Sequence, residues 1–246
     1  MKKLFSLTQR NLKEMLRDPI SLIFCLIFPV VMLILMQSIF SGLAFVPDNF
    51  IIENYAPGIC VFGYTFICMF VALQISSDKN TSFIKRLNIA PISKFSYYFS
   101  FVLSALPVAI AQTIIFFGIA LIFKFPFNAK LLLSIIYLLP SALFYICLGI
   151  MIGIICNNEK QTGPISSIFI SLVGIFGGVF MPISNLSKGF ASFVNILPFS
   201  HTVLIASEIQ TAGASAIYPH ILYILGYTAI CVVVSFAASQ IKQKRA

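Results

Sequence analysis

Long runs without charged residues dominate this sequence. Of its 246 residues, 59% are hydrophobic and 9% are charged, whereas about a quarter of the residues in a typical soluble protein are charged. A helix needs about 20 mainly apolar residues to cross a bilayer. Seven windows lack Asp, Glu, Lys and Arg: 19–47, 54–77, 95–123, 131–158, 161–187, 189–207 and 209–241. The sequence therefore predicts an all-α integral membrane protein.

One window, 189–207, is a poor candidate for a crossing. Asn195, Pro198, Ser200 and Thr202 lie near its middle, and its apolar residues follow one helical stripe. This pattern is typical of a helix that lies at the interface or dips back into the protein. Basic residues favour the same conclusion, because six spans with both termini inside put 13 of the 16 Lys and Arg on the cytoplasmic side, which membrane proteins keep positive.

We therefore predict a single transmembrane domain, 1–246, in the cytoplasmic (inner) membrane, with both termini in the cytoplasm. The six predicted spans are 20–42, 55–76, 97–123, 131–156, 162–182 and 217–240. A cytoplasmic loop, 77–96, joins the second and third spans. The outer loops 43–54 and 124–130 are short, and 183–216 forms a long outer segment that we expect to be re-entrant.

Residues 1–18 are predicted to form an interfacial amphipathic helix. One face carries Phe5, Thr8, Leu12, Met15 and Leu16, and the other carries Lys2, Lys3, Arg10, Lys13 and Arg17. Such a helix binds the cytoplasmic leaflet by apolar burial and by anionic lipid, at about 1 kcal/mol per cation. Asp18 is a candidate N-cap and Pro19 a candidate first residue of the first span. A simple basic tail that only sets topology is the alternative.

Residues suited to catalysis or metal binding are scarce. The predicted spans carry ionisable residues only at their edges, which argues against an ion-coupled carrier. No G-x-x-x-x-G-K-[ST] phosphate loop occurs, so we expect no nucleotide site, no cofactor and no enzyme activity in this chain. His201 and His220 lack a carboxylate or thiol at metal spacing along the sequence, so we expect hydrogen-bonding interface residues rather than metal ligands. The six cysteines are expected to be buried apolar side chains.

Two pairs of glycines have the spacing that lets helices approach closely. Gly149 and Gly153 form one G-x-x-x-G pair, and Gly174 and Gly178 form the other. Small residues four apart bring helix backbones together in lipid. Packing within the chain and contact between subunits are both open.

The segment after the second predicted span differs from the rest of the chain. Residues 80–98, NTSFIKRLNIAPISKFSYY, bring cations, hydroxyls and two tyrosines between two apolar runs. The order of residues is Asp78, Thr81, Arg86-Leu87 and Pro91-Ile92-Ser93. In this order and spacing, the segment resembles the same loop of ABC-2 type exporter permeases.

Three further motifs carry the same resemblance along the whole chain. The N-terminal helix ends in Arg17-Asp18-Pro19. A G-G-x-F-x-P run closes the fifth span with Gly177, Gly178, Phe180 and Pro182. The outer segment contains NILPFSH, residues 195–201, which includes Leu197, Pro198 and His201.

The resemblance implies a cytoplasmic coupling helix between spans two and three, and re-entrant helices before span six. It also implies a separate ABC ATP-binding subunit, which binds the ATP and Mg, and a second permease copy in a homodimer or heterodimer. Leu87, Ile89 and Ile92 are then expected to enter an apolar cleft on the ATPase. Lys85, Arg86 and Lys94 would meet its polar rim, beside Thr81, Pro91 and Ser93.

The expected function is ATP-driven efflux of an amphiphilic or hydrophobic cargo, such as a drug, antibiotic, lipid-like molecule or peptide. Membrane lipid is an expected partner and nucleic acid is not, because the basic residues lie at the ends of apolar runs rather than on one basic face. Two alternatives stay open. One is a membrane immunity or assembly protein that binds a partner through 79–95, and the other is a carrier independent of ATP.

Overall fold

The computed structural model describes residues 2–40, 42, 46–47, 50–89, 92–181, 183, 186–211 and 214–244. Over these residues the regular structure is entirely helical. The helices are α1 (Lys2–Arg17), α2 (Pro19–Leu22), a π-helical turn (Ile23–Ile27), α3 (Phe28–Phe40), α4 (Ile52–Lys79), α5 (Ser82–Ile89), α6 (Lys94–Ile122), α7 (Ala129–Tyr137), α8 (Leu139–Ile155), α9 (Glu159–Phe176), α10 (Lys188–Val194), α11 (Pro198–Thr211) and α12 (Ala214–Lys244).

The first long helix begins where the sequence predicts. Asp18 is the N-cap, and its side chain accepts hydrogen bonds from the backbone N–H of Ile20 at 3.1 Å and from the hydroxyl of Ser21 at 2.6 Å. Pro19 occupies the first turn, where a missing N–H costs nothing. From Pro19 the chain continues as one apolar helical segment to Phe40. The predicted N-cap at Asp18 is confirmed.

Five helical segments in the described part of the chain are long and apolar enough to cross a bilayer. They are Pro19–Phe40, Ile52–Lys79, Lys94–Ile122, Ala129–Ile155 and Ser215–Lys242. Helix α9 is not among them, because its 18 residues begin with Glu159, Lys160 and Gln161. Six spans are therefore not confirmed by length and hydropathy, and Pro182, at the end of the predicted fifth span, lies outside the described residues.

Helix α4 is the centre of the bundle. In its most apolar window 83% of the residues are buried, compared with 22% in both Pro19–Phe40 and Ser215–Lys242. It packs against α8, α9, α6, α11 and α3. The peripheral helices expose apolar side chains, as expected for a protein surrounded by lipid.

Gly149 and Gly153 allow α8 to lie directly on α4. A Cβ at Gly149 would collide with the backbone carbonyl oxygen of Cys68, and a Cβ at Gly153 would lie 2.9 Å from the carbonyl oxygen of Ala72. Both contacts are closer than real Cβ atoms make. This G-x-x-x-G pair therefore packs two helices of the same chain against each other, which is one of the two alternatives left open by the sequence.

The helices run between two ends of the bundle. At the end that carries α1, which we call the α1 end, lie the last turns of α4, α8 and α12 and the first turns of α6 and α9. At the opposite end, Gln37 of α3 donates to the backbone carbonyl of Phe50 at 2.9 Å, and Gly58 of α4 lies near Val179 and Val203. Helix α9 thus extends from one end to the other, although it is less apolar than its neighbours.

The weak window 189–207 forms two short helices, α10 and α11, rather than one long helix. The turn between them lies deep beside α12, because the hydroxyl of Tyr227 donates to the backbone carbonyl of Ile196 at 2.7 Å. Tyr227 is 13 residues after the first residue of α12, which corresponds to about 20 Å along a helix. Helix α11 then packs against α12, α4 and α7.

We predict that Gly149→Ala lowers the free energy of unfolding, because it disturbs the contact between α4 and α8. One added methyl must displace the backbone of Cys68, and overpacking of this kind costs about 1–3 kcal/mol. Unfolding by SDS in mixed micelles, followed by circular dichroism, would measure the change. Gly118→Ala on α6 is the matched control, because a Cβ there meets no atom within 4 Å; equal losses from both variants would contradict the prediction.

Candidate functional site

The predicted docking residues lie on and beside helix α5, at the α1 end. A tight turn leads into this helix from α4. The hydroxyl of Thr81 donates to the backbone carbonyl of Asp78 at 2.8 Å and accepts from the backbone N–H of Phe83 at 3.3 Å. Thr81 therefore fixes the direction of α5 relative to the last turn of α4.

One face of α5 packs against the rest of the chain and the other is open. Phe83, Ile84 and Leu87 are partly buried against the core, while Ile89 is 87% exposed. Arg86 is exposed and donates to the hydroxyl of Ser82 at 3.0 Å. Of the three predicted apolar anchors, Ile89 is free to meet a partner, whereas Leu87 is partly occupied in holding α5 to the bundle.

The remaining predicted docking residues flank the helix. Lys85 belongs to α5, and Pro91 lies outside the described residues. Ile92 is half-buried. Ser93 is the N-cap of α6 and accepts from the backbone N–H of Ser96 at 3.1 Å. The docking role of this group stays a prediction.

A buried carboxylate, Asp78, joins four helices directly behind α5. Asp78 is 3% exposed. Its two oxygens accept from both terminal nitrogens of Arg10 in α1, at 2.8 and 2.5 Å, and one also accepts from the hydroxyl of Tyr97 in α6 at 2.7 Å. The guanidinium of Arg10 lies 3.9 Å above the ring of Phe83 in α5. We call these four residues the Asp78 network.

Arg10 remains charged in this position. Burial of its guanidinium lowers the pKa of Arg10, but the hydrogen bond and charge of Asp78 and the charge of Glu14 raise it by more, so the net shift is upward. Glu14 lies 2.8 Å from Arg10, one helical turn away. A bidentate arginine–carboxylate pair is directional, because two parallel N–H bonds fix the relative orientation of both groups.

Helix α1 docks on the protein by a face that overlaps the predicted apolar face only in part, through Leu12 and Met15. Leu7, Asn11 and Met15 are buried, and Asn11 donates from its amide to the hydroxyl of Ser100 in α6 at 2.8 Å. Phe5 and Leu16 of the predicted apolar face are 70% and 49% exposed. Arg10, predicted among the cations that meet anionic lipid, pairs instead with Asp78 within the protein.

Two lysines hold the end of α8 at the same end of the bundle. Lys79, at the end of α4, donates to the carbonyl oxygens of Gly153, Ile154 and Cys156. Lys242, near the end of α12, donates to the carbonyl oxygen of Ile155 at 2.7 Å. The last carbonyls of a helix have no partner within that helix, and the two ammonium groups supply hydrogen bonds to them. Their positive charge also stabilises the negative, C-terminal end of the helix dipole.

Sequence reasoning missed the roles of Arg10, Tyr97 and Lys242. The available signal was Asp78, an acidic residue at the end of an apolar run and within the quoted loop motif. A carboxylate in that position needs a positively charged or hydrogen-bonding partner. The sequence did not reveal which of the nearby cations supplies it.

Comparison with known proteins decides the family of this chain. Residues 2–211 match the profile of the ABC-2 type transporter family. The chain belongs to that family. This membership implies partnership with an ABC ATP-binding subunit.

Similar proteins in other organisms are membrane transport proteins. The chain is 22% identical to the probable doxorubicin resistance ABC transporter permease protein DrrC of Mycobacterium tuberculosis, over 92% of this chain and 83% of the relative. It is 32% identical to the putative transport permease ycf38 of Cyanophora paradoxa, over 56% of this chain and 50% of the relative. ABC transporter G family member 20 of Dictyostelium discoideum is 22% identical over 80% of this chain and 28% of the relative.

At the opposite end of this ABC-2 family member, the G-G-x-F motif forms the turn after α9. Gly178 has a φ of +76°, a left-handed conformation that favours glycine. A Cβ at Gly174 would lie 3.1 Å from the ring of Phe180, and one at Gly177 would collide with the carbonyl oxygen of Val173. The second glycine pair therefore also serves packing and turning within the chain.

The two histidines of the permease are in direct contact, which the sequence did not predict. Nδ1 of His201 in α11 lies 2.6 Å from Nδ1 of His220 in α12, and Nε2 of His220 lies 3.1 Å from a carboxylate oxygen of Glu208. The linear sequence separates the histidines by 19 residues, and only the antiparallel packing of α11 on α12 brings them together. Leu197 and Pro198 precede this cluster at the turn into α11.

We predict that Arg10 and Asp78 are energetically coupled. Arg10→Gln leaves a buried carboxylate without its cation, which costs about 3–5 kcal/mol. Adding Asp78→Asn removes that charge, so the double variant should be more stable than the sum of the two single losses implies. SDS unfolding in mixed micelles measures each free energy of unfolding.

Glu159→Gln is the control for this cycle, because Glu159 is exposed at the same end of the bundle and its loss should change the free energy by no more than about 0.5 kcal/mol. Strictly additive effects of Arg10→Gln and Asp78→Asn would mean that the two side chains do not interact in the folded protein.

Proposed function

We propose that this chain is the membrane subunit of an ATP-driven exporter, and that a separate ABC ATP-binding subunit docks on α5. The observation that carries the proposal is the exposed side chain of Ile89 on a helix that contacts the Asp78 network. Such a helix offers a partner an apolar anchor in water. It also passes any displacement to α4 and α6 through buried contacts.

In this proposal the chain crosses the membrane six times, with α9 as the fifth span. Support comes from the direction of the last two long helices. Helix α9 runs from the α1 end to the opposite end, and α12 runs from the opposite end back to the α1 end. Six crossings with the α1 end in the cytoplasm put 13 of 16 Lys and Arg there, in keeping with the positive-inside pattern. The termini would then both be cytoplasmic, and the membrane would be the cytoplasmic membrane.

Helices α10 and α11 form a re-entrant hairpin in the outer half of the membrane. The proposal is supported by the depth of their connecting turn, which lies beside Tyr227. Backbone polar groups at membrane depth are tolerated where protein satisfies them. The bond from the Tyr227 hydroxyl to the carbonyl of Ile196 is one such interaction.

Two copies of the permease, or this chain and a related one, enclose the pathway. Support comes from α4, which is packed on all sides within one chain. A pathway through the middle of a single chain would have to separate α4 from α8 at Gly149 and Gly153. A pathway between two chains leaves that contact intact.

The cargo is amphiphilic or hydrophobic. A cavity of about 350 Å³ lies where α1, α2, α4 and α9 meet, and both apolar side chains, such as Phe70, and carboxylates, Glu14 and Glu159, line it. An aromatic groove of about 140 Å³, which includes Phe95, Tyr98 and Phe236, lies between α6, α8 and α12. The aromatic groove, whose lining is mainly apolar, suits an apolar cargo better than the carboxylate-lined cavity does. One relative is named for doxorubicin resistance.

The docking proposal predicts that Ile89→Glu weakens binding of the ATP-binding subunit. A buried apolar anchor contributes about 2 kcal/mol or more to such a contact, which is roughly a 30-fold rise in Kd. Affinity would be measured by surface plasmon resonance with the full permease in nanodiscs. Ile89→Val keeps the apolar contact and is the matched control.

Leu87→Glu is a poorer test, because Leu87 also packs within the chain. Equal thermal unfolding of wild-type and Ile89→Glu permease would show that the variant is folded. Wild-type affinity for the Ile89→Glu variant would exclude Ile89 as an anchor.

The exporter proposal predicts that transport requires both subunits and ATP. Proteoliposomes that contain the permease and its ATP-binding subunit should move doxorubicin when ATP is added, and the permease alone should not. The fluorescence of doxorubicin follows the movement. Equal transport by the permease alone would support an ATP-independent carrier instead.

A further inference from the structure

A chain of polar contacts links α11 to α12 at the opposite end from the Asp78 network. Nε2 of His201 lies 2.8 Å from the backbone carbonyl oxygen of Asn195. Nδ1 of the same ring lies 2.6 Å from Nδ1 of His220. Nε2 of His220 lies 3.1 Å from Oε2 of Glu208. None of the functions assigned above uses these three contacts.

Each of the three contacts needs one proton. A carbonyl oxygen only accepts, so Nε2 of His201 carries a hydrogen. Two bare Nδ1 lone pairs repel each other at 2.6 Å, so a proton must lie between the rings. Nε2 of His220 and Oε2 of Glu208 lie 3.1 Å apart without a well-aligned hydrogen bond. A bare imidazole nitrogen and a carboxylate oxygen would repel at this distance, so the third proton is assigned to Nε2 of His220, because imidazole is a stronger base than carboxylate.

The number of protons is the informative quantity. Two neutral imidazoles and a carboxylate carry two protons in total, and the geometry requires three. We propose that Glu208, His220 and His201 form a proton-binding site that holds one extra proton and fastens α11 to α12.

Burial is consistent with an electrically neutral assembly. His201 is 7% exposed, and Oε2 of Glu208 is buried with no well-aligned hydrogen bond. With three protons, the positive imidazole pair balances the carboxylate, which avoids the cost of an uncompensated buried charge. Burial lowers the pKa of His201, and the nearby charge of His220 lowers it further; the Asn195 carbonyl and Glu208 raise it, but the net shift is downward.

The other titratable groups near the two histidines belong to α12 and to the further helices that pack on α11. On α12, the ring of Tyr223 stacks on His201 at 4.5 Å between centroids, and Tyr227 binds Ile196. On α8, Tyr145 lies 3.2 Å from the hydroxyl of Thr202. The other helices packed on α11 also carry charged residues: Glu53, Asp78 and Lys79 on α4, Lys130 on α7, and Glu159 and Lys160 on α9. The charges that act on His201 are those of Glu208 and His220.

A proton fits between the two rings better than a metal ion does. Zinc binds imidazole nitrogen at about 2.0–2.1 Å, which would separate two tetrahedral ligands by more than 3 Å. The observed 2.6 Å is too short for a bridging ion. Among the described residues, no group of three His, Cys, Asp or Glu has metal-binding geometry.

The contact between α11 and α12 should be strongest at intermediate pH. Raising the pH removes the shared proton and leaves two lone pairs facing each other. Lowering the pH adds a fourth proton and leaves two N–H groups facing each other. Either change separates the rings, so acid or alkali on the outer side loosens α11 from α12.

Nuclear magnetic resonance can count these protons directly, because the chain contains two histidines. The full permease, purified without a histidine tag and labelled with ¹⁵N-histidine, would be titrated in lipid nanodiscs between pH 5 and 9. We expect three protonated imidazole nitrogens at pH 7.5, with scalar or dipolar contact between the two Nδ1 atoms. Glu208→Gln should reduce the count to two at this pH, and Glu159→Gln should not.

Two uncoupled histidines that each titrate near pH 6.5 would overturn the proposal, as would two ring protons at pH 7.5. A spectrum that changes on addition of EDTA would show a bound metal ion and would also overturn it. The wild-type count and the Glu208→Gln count each test the site, so a failure of one variant to fold leaves the test intact.

Discussion

The buried carboxylate of Asp78 constrains the whole α1 end of the molecule. A charge removed from water is unfavourable unless partners surround it, and here the partners come from different helices. Arg10 belongs to α1 and Tyr97 to α6, and Phe83 of α5 covers the guanidinium. None of these helices can move far alone without exposing or unpairing the charge. The Asp78 network therefore sets the relative positions of four elements.

Helix α4 carries that constraint from one end of the bundle to the other. It begins beside α11, near Val203, and ends in the Asp78 network. Along its length α8 lies in backbone contact with it at Gly149 and Gly153, and Lys79 of α4 holds the last carbonyls of α8. A close-packed interface has little free volume to absorb displacement, so α4 and α8 are suited to move as one unit.

The two ends of the bundle use different chemistry. The α1 end is held together by the Arg10–Asp78 pair and by the ammonium groups of Lys79 and Lys242. The opposite end depends on hydroxyls, glycine turns and the two histidines. Histidine is the side chain whose ordinary pKa lies close to the physiological range. The outer contact of α11 with α12 therefore responds to pH.

Local patterns predicted the elements of this fold, and contacts between distant residues decided the site. The uncharged windows, the Asp18-Pro19 helix start and the polar break at 189–207 are properties of neighbouring residues, so the sequence by itself determined a helical membrane protein. The short helix α5 is expected from the resemblance of the loop after the second span to that of ABC-2 permeases. Three things required the tertiary structure: the face of α1 that is buried, the pairing of Arg10 with Asp78, and the meeting of His201 with His220. The physical reason is that burial and electrostatic pairing depend on what lies opposite a side chain, and no periodicity within one segment specifies the partner that another helix presents.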